Sequence, residues 1–212
     1  ISMPVDSSRA DRSRRVKGLK DIVNALPGHL PGFRIVEPLT GANNSTQYNA
    51  IVSYPSRVHG KEEMIKVEVG LREPLLLPPD TGIVKTLLLN PTTTKPLCET
   101  FSLHCMCKRE AFAEKFRAAL SRREAAVRDF FDLDFADRHL GLQPKDSELI
   151  ALVKQKLAVP GNEPVDVSPE RLAALRQQLD RELKTVLREK DLREFDLERA
   201  FRIVKDVAAI IG

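Results

Sequence analysis

Near Arg109 the spacing of apolar residues changes from every second position to every third or fourth, and that switch points to an α+β chain. Upstream of it, residues 64–71 alternate strictly. Ile65, Val67, Val69 and Leu71 share one face, and Met64, Lys66, Glu68 and Gly70 share the other. Residues 48–54 are rich in β-formers, and residues 33–36, 82–89 and 101–107 read as shorter strands. His59-Gly60-Lys61 supplies the glycine of a longer hairpin loop between the two strongest strands. Residues 72–97 are proline-rich and read as loops around their short strand.

Downstream of the switch, Phe112, Phe116 and Leu120 recur every fourth residue. Helices are predicted over 110–122, 125–138, 147–158, 169–189 and 195–211. Ser168, Pro169 and Glu170 supply an N-cap, a first-position proline and a first-turn acid for the fourth of these. Leu172, Leu175, Leu179, Leu183 and Val186 are its apolar stripe. An earlier helix, 16–26, presents Val16, Leu19, Ile22, Val23 and Leu26 on one face and stops at Pro27-Gly28. The expected architecture is α+β: a small mixed β-sheet holding residues 48–54, 64–71 and 101–107, flanked by helices, with a C-terminal helical bundle. Residues 1–140 form the expected α/β domain and 141–212 the helical region, with 159–167 the best linker.

A composition of 42% hydrophobic and 30% charged residues over 212 positions excludes global disorder and a membrane span. Three cysteines make no disulfide framework and fit a reducing, cytoplasmic setting. The net charge of +4 resides in residues 1–20, where Arg9, Arg12, Arg14, Arg15, Lys17 and Lys20 face Asp6 and Asp11. Such a stretch attracts phosphates, and it also behaves as any solvated, partly disordered segment does.

The densest polar run is 113–137. Lys115 and Arg122, seven apart, lie nearly in line on one helix face, with Ala118 and Ala119 keeping the stripe between them low. A phosphate-bearing ligand fits such a stripe, and so does a solvated face laced with ion pairs. On the next helix Arg128 and Asp132 are four apart and Asp129 and Asp132 three apart. Glu68 shares a polar strand face with Lys66. Cys98, His104, Cys105 and Cys107 match no zinc spacing, and Phe101, Leu103, Cys105 and Cys107 read as one apolar core face. No P-loop, dinucleotide-binding or nucleophile-elbow motif occurs. His29, His59 and His139 fall in turns or at a helix end and read as surface residues.

The run Ala113-Glu114-Lys115-Phe116-Arg117-Ala118-Ala119-Leu120-Ser121-Arg122, followed by Arg128-Asp129-Phe130-Phe131-Asp132-Leu133, resembles a family signature. It is similar to the AEKLRAL-x-R … RD-x-x-DL motif of the AbiEii/AbiGii toxin family of nucleotidyltransferases. Ile65-Lys66-Val67-Glu68-Val69 resembles that family's IKIDI strand, with glutamate for the usual aspartate. The resemblance implies a polymerase-β-like nucleotidyltransferase fold and Mg²⁺-dependent transfer of NMP from NTP to an acceptor such as tRNA. It also implies a toxin of a bacterial toxin–antitoxin or phage-defence system, with an antitoxin as partner and no membrane. By the same resemblance Lys115 contacts the nucleotide phosphates, Glu68 is the third metal-binding carboxylate, and Asp129 or Asp132 is the later acidic residue. Arg122 and Arg128 support phosphate or acidic partners. The family's Gly-Ser or Gly-Gly-Thr turn and Asp-x-Asp do not occur in these residues, and Ile1-Ser2-Met3-Pro4 reads as the chain just after them. The alternative is a non-catalytic RNA- or antitoxin-binding domain derived from this family, and sequence upstream of Ile1 discriminates the two.

Overall fold

The computed structural model describes residues 8–56, 60–71 and 75–212. The hairpin residue His59 and the opening residues 1–4 lie outside them. The chain divides into two compact units, Ile1–Leu75 and Leu76–Gly212.

The first unit begins with helix α1, Arg9–His29, capped by Ser8, whose hydroxyl accepts the Asp11 amide. The helix thus starts seven residues before the predicted one, inside the basic stretch expected to be partly disordered. It also runs through Pro27, which costs only one backbone bond in the last turn. Three strands, β1 (Arg34–Ala42), β2 (Gln47–Pro55) and β3 (Glu62–Gly70), form an antiparallel sheet in the order β1-β2-β3. Register shifts interrupt β1 either side of Glu37, beside Pro38, which has no amide to donate. Val16 and Val23 of α1 pack with Leu39, Tyr48, Ala50, Val69 and Leu71 in one core. Of the alternating face of β3, Val69 and Leu71 are buried and Ile65 is exposed, because the core covers only one end of this edge strand.

In the second unit, β4 (Asp80–Val84) and β5 (Phe101–Cys105) pair antiparallel in a separate two-stranded ribbon. The α+β class holds, but residues 101–105 do not join the sheet of 48–54 and 64–71, and among the described residues every strand pairing is antiparallel. All five β5 residues are exposed. The expected core face of Phe101, Leu103 and Cys105 is therefore a surface of this unit.

Helices α2 (Lys108–Ser121), α3 (Val127–His139), α4 (Ser147–Leu157), α5 (Pro169–Gln178), α6 (Glu189–Glu194) and α7 (Leu197–Ile211) complete the unit. Phe116, Leu120, Phe130, Leu133, Val153, Leu175, Phe201 and Val204 share its core. The Phe130 and Phe201 rings stack with centroids 5.9 Å apart. The predicted helix 169–189 is interrupted: α5 passes into a π-helical turn at Leu179–Leu183, and Val186 at the end of its stripe is exposed. Gln178, at the junction, donates to the Ala125 carbonyl and accepts the Val127 amide, capping α3 from outside.

The expected linker 159–167 is a docked loop. The Glu163 and Asp166 amides donate to the Ser121 and Leu120 carbonyls, and Asn162 Nδ2 donates to the carbonyls of Lys156, Leu157 and Val159. These bonds satisfy the last carbonyls of α2 and of α4, and helices on both sides of residue 140 share one core. At the loop's end the Ser168 hydroxyl accepts the Arg171 amide at 3.2 Å. Ser168→Ala is expected to cost about 1 kcal/mol. Urea unfolding reads this as a lower midpoint at unchanged slope.

Candidate functional site

Helices α2 and α3 are consecutive and packed together, which places the polar run's charges opposite one another. Lys115 Nζ lies 2.6 Å from Asp132 Oδ2 and 3.6 Å from Asp129 Oδ1. From the end of α2, Arg122 reaches Asp129 Oδ2 at 3.5 Å. Asp129 is 2% exposed, whereas Lys115, Asp132 and Arg122 each retain about two-fifths of their exposure. A nearly buried carboxylate thus sits between two cations that still reach solvent. Asp129 Oδ2 makes no hydrogen bond, and its charge is answered by the ion pairs with Lys115 and Arg122.

Four of the six residues singled out in the sequence are brought together here. Arg128 is exposed and makes no ion pair with Asp132, whose partner across the helix interface is Lys115. Glu68 belongs to the first unit, exposed on β3 and 2.6 Å from Lys66. Ala118 and Ala119 are buried in the packing of the second unit and do not floor an open stripe.

Arg171 was not foreseen. It is nearly fully buried, and its guanidinium donates to the Ala119 and Arg122 carbonyls at 3.0 Å each, fixing the end of α2 that carries Arg122. Burial draws its pKa below the ordinary arginine value, with Asp166 and Asp129 opposing. Only its place in the first turn of α5 was legible; its reach across 49 and 52 residues was not. On the other side Arg117 is gripped by Glu114 and donates to Asn162 Oδ1 at 2.8 Å, and Asn162 also fixes the docked loop.

A cavity of about 480 Å³ opens at the start of α2, lined among others by Leu77, Lys108, Arg109, Phe112 and Asp146. None of the four clustered residues lines it.

The chain matches the family model described as nucleotidyl transferase AbiEii toxin, type IV TA system, over residues 2–205. It belongs to the AbiEii nucleotidyl transferase toxin family. That span takes in the whole Lys115–Asp132 cluster and reaches into both units. Two solved structures are similar in fold: a candidate nucleotidyltransferase from H. pylori and JHP933 from Helicobacter pylori. Each is 14% identical with a TM-score of 0.47 and 90% of this chain covered, against 72% of the first and 70% of the second. No curated protein matches the chain. Among the described residues no helix of this AbiEii-family chain is long and apolar enough to cross a membrane.

The family implies a divalent metal. Among the described residues no group of three or more histidine, cysteine, aspartate or glutamate side chains is placed to hold one. Asp129 and Asp132 are answered by Lys115 and Arg122, and Glu68 by Lys66. Within each unit, these carboxylates compose no metal site among the described residues.

Proposed function

We propose that this AbiEii-family chain transfers NMP from an NTP to an acceptor such as tRNA, as the toxin of a bacterial toxin–antitoxin or phage-defence system. The observation that carries the proposal is the Lys115–Asp129–Arg122 arrangement, in a chain whose family match spans 2–205. A buried anion between two part-exposed cations holds both cations in place before substrate arrives. A triphosphate approaching from solvent meets two oriented positive charges, and little reorganisation is needed to neutralise it. In the transfer an acceptor hydroxyl oxygen attacks the α-phosphorus and gives up its proton to solvent, and pyrophosphate leaves with the electron pair of the broken bond. Lys115 and Arg122 are proposed to carry the charge that shifts onto the departing phosphates. Mg²⁺ enters the proposal through the family alone.

Helix α1 bears on the acceptor. Arg9, Arg14, Arg15 and Lys17 are exposed along it, which suits a polyanion. Arg12 and Lys20 are used internally. Arg12 donates to the Asn44 carbonyl at 2.9 Å, and Lys20 sits 5.2 Å above the Tyr48 ring. The test is transfer of label from each α-labelled NTP, with Mg²⁺, to bulk tRNA by the full chain. Labelled tRNA with one or more NTPs is expected. Salt-sensitive tRNA binding with no label from any NTP would replace the proposal with the non-catalytic reading.

A further inference from the structure

Helix α2 ends at Arg122, one of the two cations proposed to meet the triphosphate. A helix leaves its last carbonyls without partners, and such ends fray when nothing replaces them. Here the carbonyls of residues 119–122 are all answered from residues 163–171. The Asp166 and Glu163 amides donate to Leu120 and Ser121 at 2.9 and 3.1 Å, and Arg171 Nη2 donates to Ala119 and Arg122 at 3.0 Å each. The last two bonds come from one nitrogen, so the plane of the guanidinium fixes both carbonyls relative to each other. Capping alone does not call for this residue. Water or a neutral amide would satisfy the same oxygens, whereas the Arg171 side chain is 5% exposed and its Nε is buried with no hydrogen bond. A charge and a donor are both desolvated, and the Asp166 carboxylate that faces them stands 3.6 Å away.

We infer that Arg171 is a positioning residue that fixes Arg122 for an incoming triphosphate, an inference that rests on the reading of Lys115 and Arg122 as the cations that receive it. Of those two, Arg122 is the one in need of support. Lys115 lies within α2 and takes its direction from the helix backbone. Arg122 has left the helix, with ψ 134°, and its guanidinium stands 3.5 Å from an Asp129 oxygen that makes no hydrogen bond. An ion pair of that length attracts without orienting. Holding the Arg122 carbonyl against the Ala119 carbonyl fixes ψ, and with it the direction in which the side chain leaves the backbone.

Titration calorimetry of the full chain with inorganic triphosphate tests this through a double-variant cycle. Arg122→Ala is expected to weaken binding about tenfold. Arg171→Lys keeps the charge but replaces the planar fork with a rotatable ammonium, and is expected to weaken binding about fivefold. Because Arg171 acts through Arg122, adding Arg171→Lys to Arg122→Ala should change binding by less than about twofold. A residue that only stabilises the fold would lower the urea midpoint and leave the triphosphate affinity of the folded protein unchanged. That result overturns the inference, and so do two losses that multiply. Far-UV circular dichroism checks the fold. If Arg171→Lys does not fold, Asp166→Asn carries the same cycle from a part-exposed position, by neutralising the carboxylate that faces Arg171. A loss of about threefold that disappears in the Arg122→Ala background is then expected, and a loss that persists there overturns the inference. The titration requires no transfer, so a chain that labels no acceptor loses the proposed activity while the cycle still decides the role of Arg171. A wild type that binds no triphosphate overturns that role together with the cation reading.

Discussion

Lys156→Met is expected to lower the stability of the second unit by about 3–5 kcal/mol at neutral pH. Lys156 and Glu110 are 2% and 0% exposed and 2.7 Å apart, the most deeply buried ion pair among the described residues. Glu110 also accepts the Leu76 and Leu77 amides at 2.9 Å each, so one carboxylate ties the first residues of the unit to α2 and α4. Removing the ammonium leaves a buried anion with two amides as its only hydrogen-bonding partners, and desolvation then dominates. The pH dependence follows from the same contacts. Burial raises the Glu110 pKa, but the Lys156 hydrogen bond and the two amides outweigh it, and the carboxyl ends below its ordinary value of 4.5. A carboxylate with a depressed folded pKa stabilises the protein above its unfolded value, and that contribution fades as pH falls through the folded one. In Lys156→Met the largest lowering contact is gone, so the folded Glu110 pKa rises, and the difference between the proteins should shrink as pH falls from that raised value to the depressed wild-type one. Urea unfolding at neutral and acid pH measures both effects. A loss under about 1 kcal/mol at neutral pH would show the pair to be solvated. The double variant Lys156→Met with Glu110→Leu should recover most of the loss, since neither charge is then left unpaired.

The second large effect is on activity. Lys115→Ala is expected to slow NMP transfer by about 10²–10³, equivalent to roughly 2–4 kcal/mol of transition-state stabilisation. The same substitution leaves Asp129 and Asp132 with one cation fewer, so some stability is lost as well, and two readouts separate the effects. Binding of inorganic triphosphate by titration calorimetry should weaken in Lys115→Ala, whereas Asp132→Asn, which keeps the ammonium, should retain it. A residue that only pairs on a solvated surface would shift the urea midpoint slightly and leave both transfer and triphosphate binding unchanged. That result would remove Lys115 from the mechanism.

What could be read in advance depended on whether a residue's role is set by its neighbours in sequence. Two turns of one helix align Lys115 with Arg122, and a helix pair with a short connection can bring Asp129 and Asp132 back against them. Arg171 and Lys156 were invisible for the opposite reason. Their partners lie 46 to 52 residues away, and nothing in a local window distinguishes a buried guanidinium or ammonium from a solvated one.

Residues 101–105 mark the boundary most sharply. Alternation correctly made them a strand and set Phe101, Leu103 and Cys105 on one side, because the period of a strand is a property of its backbone. Whether that side was core or surface depended on which strand it paired with and on what covered the pair, which no alternation encodes. The sequence by itself determined the α+β class, the switch at Arg109, most helix positions and the nucleotidyltransferase signature, since each rests on contacts within a few residues. Only the tertiary structure decided that the hairpin stands apart from the main sheet, that 159–167 docks on α2, and that Asp129 is buried between Lys115 and Arg122. Those outcomes follow from where apolar faces bury and where orphaned carbonyls and charges find partners, and these are properties of the packed chain as a whole.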